Sequence, residues 1–193
     1  MTDLAGRPDA GPPAGQSRWM KLALNQARKA MKAGETPVGA VLVCAGRVLG
    51  RGYNRREASA DVTQHAELMA IRQASRRLGT WRLDGCDLYV TLEPCIMCAG
   101  AIVQARIRTV HYGTADPKAG ACGSVVDIFA LKQNHPVIVT GGLRAGECSD
   151  ILKSFFQQRR QQNKAFGTSS ERRSRAILNL KNDKQRDTQS DPE

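Results

Sequence analysis

Residues 91–98 read Thr-Leu-Glu-Pro-Cys-Ile-Met-Cys, and residues 65–67, earlier in the chain, read His-Ala-Glu. One imidazole and two thiolates are donors that zinc prefers, and a set of three leaves the fourth tetrahedral position open. An open position is typical of a catalytic zinc site, because a structural site closes it with a fourth protein ligand. The sequence therefore predicts a metal centre formed by His65, Cys95 and Cys98.

Each half of this motif is expected to lie at the start of a helix. The predicted fold is built outward from these two helices. Proline is tolerated at the first helical position, so we predict that one helix runs from Pro94 to about Ala105. The other predicted helix covers residues 65–78. Helix N-termini present free N–H groups and the positive end of the helix dipole, which stabilise thiolates. Cys95 and Cys98 share one helix face because they are three residues apart.

Glu67 is the predicted proton carrier of this site. A carboxylate beside the open metal position accepts a proton from a metal-activated water molecule, passes it to a ring nitrogen and then protonates the departing ammonia. The main-chain N–H of Ala66 or Cys95 is a candidate for orienting the substrate. The complete motif resembles the signature of zinc-dependent nucleobase deaminases, and this resemblance implies the hydrolytic removal of an amine from a nucleobase.

Each half of the motif has another interpretation when it stands by itself. His-Ala-Glu is short enough to occur by chance, and Cys-x-x-Cys also occurs in structural zinc sites and thioredoxin-type redox pairs. A redox pair explains neither His65 nor Glu67, and a structural zinc site has no use for Glu67. The complete pattern, His-x-Glu followed by Pro-Cys-x-x-Cys, is the signature of zinc-dependent nucleobase deaminases.

Alternating helices and strands are predicted on both sides of the motif. In chain order they are a helix over 17–33 capped by Ser17, strands 38–44 and 48–52 joined as a hairpin at Ala45-Gly46, a helix over 65–78, a strand over 86–92, a helix over 94–105, a strand over 109–112, a helical turn over 127–131, a strand over 137–140 and a helix over 145–166. Residues 113–124 are predicted to form a functional loop. This alternation predicts an α/β layered fold with a mixed sheet.

The two ends of the chain lack apolar periodicity. Residues 1–16 are predicted to be a disordered extension and residues 167–193 a disordered basic tail, which leaves residues 17–166 as the catalytic domain. The sequence has no run of eighteen apolar residues, and its first sixteen residues lack the apolar core of a signal peptide. We therefore expect a cytoplasmic protein.

The chain is strongly basic, with 29 Lys and Arg residues against 18 Asp and Glu residues and a formal net charge of +11. Such an excess favours a polyanionic partner over a small neutral metabolite, although basic proteins without a nucleic-acid partner exist. The 6 cysteines are expected to be metal ligands and core thiols, because disulfides are rare in cytosolic proteins.

At these motifs the chain resembles the cytidine-deaminase-like superfamily and, within it, the bacterial tRNA-specific adenosine deaminases. The likeness runs from about Trp19 to Lys164. Its strings are Pro37–Ala40, Gly52–Asn54, His65–Glu67, Thr91–Ala101, Gly113–Ser124, Asn134-His135 and the helix that contains Phe155-Phe156 and Arg159-Arg160. The resemblance implies a three-layer fold with a mixed five-stranded sheet and helices on both faces. It also implies a homodimer, one zinc ion per subunit, and conversion of adenosine to inosine at the wobble position of a tRNA anticodon.

The same resemblance assigns substrate-binding roles to Asn54, Asp116, Lys118 and Asn134. The positive net charge favours RNA-backbone contact over an ordinary solvated face for Arg159 and Arg160, and Phe156 of the same helix is a further candidate for RNA contact. Asn54 is expected to hydrogen-bond the base, and the loop that contains Asp116 is expected to contact flipped nucleotides. Each also has an ordinary structural interpretation, since an Asn after a strand often forms a turn and Asp116 can start a turn with Pro117.

Two rival functions stay open at the level of sequence. The first is a deaminase of a free base or nucleotide, such as guanine or a pyrimidine, with the same zinc site. The second is a zinc-stabilised RNA-binding module without turnover. The basic surplus argues against the first, and Glu67 argues against the second.

Overall fold

The computed structural model describes residues 14–166. The predictions for residues 1–13 and for the tail 167–193 lie outside the described residues. The chain divides into two compact units, and the boundary lies after Leu152. The sheet and most of the helices lie in the first unit, and the second unit contains the larger part of the last helix.

The helices are α1 (Ala14–Lys32), α2 (Arg56–Ser59), α3 (Ala66–Leu78), α4 (Ile96–Gln104) and α5 (Ala145–Phe166). The strands are β1 (Gly39–Cys44), β2 (Arg47–Tyr53), β3 (Cys86–Leu92), β4 (Thr109–Thr114) and β5 (Ile138–Thr140). Among the helices that the structure describes, none combines the length and apolarity that a membrane crossing needs.

The strands form one mixed sheet in the order β2-β1-β3-β4-β5. β1 is antiparallel to both β2 and β3, whereas β3, β4 and β5 run parallel to one another. The hairpin turns at Ala45 and Gly46, both with positive φ (47° and 71°), as a two-residue turn that matches the strand twist requires. The predicted mixed sheet and the hairpin are confirmed for the described chain.

Helices cover both faces of this sheet. Successive residues of a strand point to opposite faces, so Leu42 of β1 packs in a cluster with Ala70 of α3 and Ile102 of α4, while Val41 packs with Met20 of α1. The three layers predicted from the family resemblance are therefore present in the first unit.

Two glycines of β2 let α3 lie directly on the sheet. A Cβ added at Gly50 would lie 2.0 Å from the carbonyl oxygen of Ala70, and one added at Gly52 would lie 2.0 Å from that of Ala66. Because any larger side chain would push the helix away, these glycines fix the first turn of α3. That turn adjoins His65.

Two helix starts differ from the sequence predictions. α1 begins at Ala14, so residues 14–16 are helical and Ser17 is not the cap. The Ser17 hydroxyl instead accepts a hydrogen bond from the Arg144 guanidinium (2.8 Å). α4 begins at Ile96 with Cys95 as its N-cap, so Pro94 precedes the helix and gives the entering chain its extended direction.

Smaller differences concern the irregular segments. The predicted helical turn over 127–131 is a turn in which Asp127 Oδ1 accepts hydrogen bonds from the N–H groups of Phe129 and Ala130. The short helix α2 has no buried residue. It was not predicted because it has no apolar face to give a periodic signal.

Candidate active site

The two halves of the motif meet where α3 and α4 begin. His65 is the N-cap residue of α3 and Cys95 is that of α4, and both have extended backbone conformations (φ −77°, ψ 153° and φ −78°, ψ 172°). Neither side chain caps its own helix. Both are therefore free to point at a common centre.

The three predicted ligands form a compact cluster of donor atoms. His65 Nδ1 lies 3.7 Å from Cys95 Sγ and 3.6 Å from Cys98 Sγ. The three donors all lie within 4.8 Å of one another, and they are the group that could hold a metal ion among residues 14–166. Cys98 is buried, while His65 and Cys95 are half-buried.

The electrostatics of the cluster distinguish the two thiols. A hydrogen bond from the Cys98 thiol, helped by the His65 imidazole, lowers the pKa of Cys95 to about 4. The same contact with Cys95, together with burial, raises the pKa of Cys98. The hydrogen bond to Cys95 likewise raises the pKa of His65. Cys95 is therefore the first of the pair to become the thiolate that binds metals.

Glu67 lies beside this cluster without belonging to it. It is 4% exposed, and burial raises the pKa of its carboxyl group. Its Oε2 atom is buried and has no hydrogen-bond partner within the described part of the chain. A buried carboxylate oxygen without a partner is unfavourable, so the site has a place for a donor that the chain does not supply.

A cavity of about 200 Å³ opens onto the cluster. Its lining residues are Thr36, Val38, Asn54, Arg56, His65, Ala66, Glu67, Leu92, Glu93, Cys95, Asp116 and Ala119. Pockets for drug-sized ligands measure roughly 300–1,000 Å³. This cavity is therefore close in size to a single base.

The structure brings some of the predicted substrate contacts to the cavity and leaves others outside it. Asn54, Ala66 and Asp116 line it. Lys118 does not line it, and its N–H donates to Asp116 Oδ1 (3.0 Å) within a turn. Asn134 lines a separate cavity of about 70 Å³ near Trp81.

Phe156, Arg159 and Arg160 belong to α5 in the second unit. All three side chains are exposed, and Phe156 is 46% exposed. The Arg159 guanidinium lies 5.8 Å from the centre of the Phe155 ring. An exposed aromatic ring beside two cations is a surface that suits stacking and phosphate contacts.

Sequence reasoning missed the partner of Asn54. Asn54 Nδ2 donates to Glu35 Oε2 (3.1 Å), and the other Glu35 oxygen accepts the N–H of Ala58 (2.7 Å). A carboxylate only accepts hydrogen bonds, so the amide nitrogen of Asn54 must face Glu35. Its Oδ1 therefore faces away from Glu35. Glu35 follows a glycine turn, where no pattern marks a single buried carboxylate.

The family described as MafB19-like deaminase matches residues 14–160 of this chain. A tRNA-specific adenosine deaminase of Bacillus subtilis (strain 168) is 44% identical over 148 residues, which cover 76% of this chain and 92% of the relative. A tRNA-specific adenosine deaminase of Agrobacterium fabrum (strain C58) is 49% identical over 148 residues, covering 76% and 97%.

A solved structure of a tRNA deaminase is also similar to this chain. It comes from studies of A-to-I editing by tRNA:A34 deaminases at the wobble position of transfer RNA. It is 50% identical to this chain, with a TM-score of 0.69, and the match covers 70% of this chain and 99% of the other.

Proposed function

We propose, from the premise that this chain belongs to the family of tRNA-specific adenosine deaminases, that it acts at the wobble position of the anticodon and depends on zinc. The chain is an enzyme, and its reaction is the deamination of adenosine to inosine in tRNA. One water molecule is consumed and one ammonia is released, so the enzyme is a hydrolase of the C–N bond in a cyclic amidine.

The donor set fits zinc. Bonds of about 2.1 Å to nitrogen and 2.3 Å to sulfur in a tetrahedral arrangement separate those donors by about 3.6 Å, and the observed separations are 3.7 Å and 3.6 Å. We assign His65, Cys95 and Cys98 as the ligands, with one ion per subunit. When bound, zinc supplies a Lewis acid that brings the pKa of a water molecule close to neutrality.

Glu67 is assigned the proton transfers. Glu67 lines the cavity and its Oε2 has no hydrogen-bond partner among the described residues. Its carboxylate accepts a proton from the attacking water and delivers it to the ring nitrogen next to the amine. The carboxylate then accepts the second proton of the same water, from the hydroxyl that is now bonded to the ring carbon, and gives it to the amine. The C–N bond breaks and the amine leaves as ammonia. One group acts first as the base and then as the acid.

The remaining residues are assigned to substrate binding. Asn54, the main-chain N–H of Ala66 and Asp116 contact the base, because they line the cavity with Glu67. The residues assigned to flanking nucleotides and phosphates are Lys118, Asn134, Phe156, Arg159 and Arg160. A base enters so small a cavity only after it is flipped out of the anticodon loop, and its neighbours must then be held.

The proposal extends to the form of the protein. We assign residues 17–166 as the catalytic domain, a homodimer as the active species and the cytoplasm as its location. Large exposed apolar side chains, including Val62, Ile96 and Val125, support a second copy as the partner. Sedimentation of the full chain at micromolar concentration tests the dimer, since a monomer contradicts it.

The observation that carries this proposal is the buried, unpartnered Glu67 oxygen beside a His-Cys-Cys cluster. To test it, total tRNA is incubated with the zinc-loaded protein and sequenced, with the Glu67→Gln variant as the control. We expect new A-to-G reads at the wobble position with the wild-type protein alone. New reads at other positions, equal reads with Glu67→Gln, or no new reads contradict the proposal.

A further inference from the structure

We propose that Glu93 is a positioning residue for the reaction. Its buried carboxylate holds the Glu93 loop, defined as residues 115–124, and so fixes the wall of the cavity that receives the base. This inference rests on the proposed function, because that wall carries Asp116 and Ala119, and Asp116 is assigned above to the substrate.

Both carboxylate oxygens of Glu93 accept hydrogen bonds from residues of this loop. Glu93 is 2% exposed. Its Oε2 accepts the N–H of Asp116 (2.9 Å) and the hydroxyl of Ser124, and its Oε1 accepts the N–H groups of Cys122 (2.8 Å) and Ser124 (3.1 Å). A carboxylate has about four acceptor positions. Within the described chain, these bonds occupy them with donors from both ends of one loop.

Glu93 also stands at the junction between the sheet and the metal cluster. It follows the end of β3, and its N–H donates to the carbonyl of Thr114 at the end of β4 (2.9 Å). Two residues later comes Cys95, whose backbone forms a bridge with Gly120 of the loop. One short segment therefore carries a metal ligand and the anchor of the cavity wall, so the distance between them is fixed.

The loop closes on the carboxylate too tightly for a side chain at its centre. A Cβ added at Gly120 would lie 2.4 Å from Glu93 Cδ and Oε2 and 2.6 Å from the carbonyl oxygen of Asp116. Those contacts are closer than real Cβ contacts, so Gly120→Ala must displace either the loop or the carboxylate. This gives a second way to break the same contact, without removing the negative charge.

Two roles for Glu93 predict different kinetics. A residue that only stabilises the fold lowers the fraction of active enzyme, and therefore lowers the apparent kcat while KM stays constant. A residue that positions the nucleotide-binding wall changes the affinity for RNA, and therefore raises KM, while the metal and Glu67 still perform the reaction.

The test uses the full chain in its zinc-loaded form and compares Glu93→Gln, Gly120→Ala and the wild type on tRNA. The glutamine amide presents its NH₂ group to main-chain N–H donors, so part of the hydrogen-bond set is lost. We expect KM for tRNA to rise about tenfold or more, as the loss of a hydrogen bond to a charged group implies, with kcat and zinc content close to the wild type. Gly120→Ala should raise KM in the same way.

A measurement without substrate complements the kinetics. Hydrogen exchange of the amides of Cys122 and Ser124 should be faster in both variants, while exchange in β1 and β3 stays slow. Glu147→Gln is the matched control. That carboxylate lies on α5, is half exposed and is paired with Arg144, which precedes the helix, so the substitution should leave KM unchanged.

Unchanged exchange in Glu93→Gln and Gly120→Ala overturns the proposal, as does a fall in kcat at constant KM. Loss of zinc from Glu93→Gln also overturns it, because Glu93 then supports the metal rather than the wall. If the wild type has no activity on tRNA, the proposed function fails, and hydrogen exchange still decides whether Glu93 holds the loop.

Discussion

Single residues determine the chemistry of this protein, and Glu67 is the clearest case. The three proposed metal ligands leave Glu67 beside them, buried and with one oxygen unpartnered among residues 14–166. In the proposed mechanism, hydrogen bonds to the attacking water and to the base account for both the burial and the missing partner. The same carboxylate in a site with only a structural metal would be costly and without purpose.

The first prediction separates catalysis from metal binding. Glu67→Gln should keep about one zinc per chain and lower kcat by a factor of about 10² to 10⁴, the range typical of a lost general acid–base group. Metal analysis and single-turnover kinetics on tRNA measure the two effects. Near-normal turnover in this variant removes Glu67 from the mechanism.

At the level of elements, the closeness of α3 to β2 fixes the position of His65. Gly50→Ala and Gly52→Ala each place a Cβ 2.0 Å from a carbonyl oxygen of α3. Each should lower the free energy of unfolding by about 1–3 kcal/mol, as overpacking does. Gly52→Ala should also weaken zinc binding, because it displaces Ala66 next to the ligand His65, whereas Gly50→Ala acts one turn further along. Equal zinc affinity in the two variants contradicts this account.

The contact between β3 and β4 predicts that the free energy of unfolding depends on pH. His111 is 5% exposed and stacks on Tyr89, with ring centres 4.6 Å apart, and its Nδ1 has no hydrogen-bond partner in the described chain. Burial lowers the pKa of His111, Arg108 also lowers it, and Asp87 acts in the opposite direction. The folded protein therefore favours the neutral ring.

The sign of the effect follows from that direction. A base whose pKa is lowered by folding contributes stability above its unfolded pKa of about 6.5, and this contribution is lost as the pH falls through the folded value. His111→Phe should therefore show a smaller loss of unfolding free energy between pH 7 and pH 5 than the wild type. Denaturant titrations at several pH values measure the difference, and identical slopes exclude His111 as a contributor.

Sequence patterns predicted the elements better than the contacts between them. The cluster of His65, Cys95 and Cys98 could be predicted from residue types and spacing, because both halves of the motif lie where a helix begins. The roles of Glu35 and Glu93 could not be predicted from the sequence. Each carboxylate accepts hydrogen bonds from main-chain N–H groups about 20–30 residues away, which only the tertiary fold brings near. The start of α1 was missed because residues 14–16 carry no apolar residue other than Ala14.

On the scale of the whole molecule, the net charge of +11 is the feature that relates most directly to an RNA substrate. If Lys118, Arg159 and Arg160 each neutralise one phosphate, raising the salt from 50 to 200 mM should weaken tRNA binding about 20-fold, since each contact to a single strand contributes a slope of about −0.7. Fluorescence anisotropy with a labelled anticodon stem-loop measures this. A binding constant independent of salt favours a free base as the substrate.

A control with equal charge makes that measurement specific. Alanine at Lys118, Arg159 and Arg160 should reduce the salt slope by about 2. The exposed cations Arg28, Lys29 and Lys32 lie on α1, whereas the metal cluster lies at the starts of α3 and α4. Alanine at these three positions removes the same net charge and should leave the slope nearly unchanged.

The central claim concerns a zinc ion with one coordination position left to water, and X-ray absorption of the purified full chain tests it most directly. The account predicts about one zinc per chain, bound by one imidazole nitrogen, two sulfurs and one further oxygen. A third sulfur would show that another thiol, such as the half-buried Cys122, closes the site. Such a closed shell, or the absence of a bound transition metal, contradicts the account.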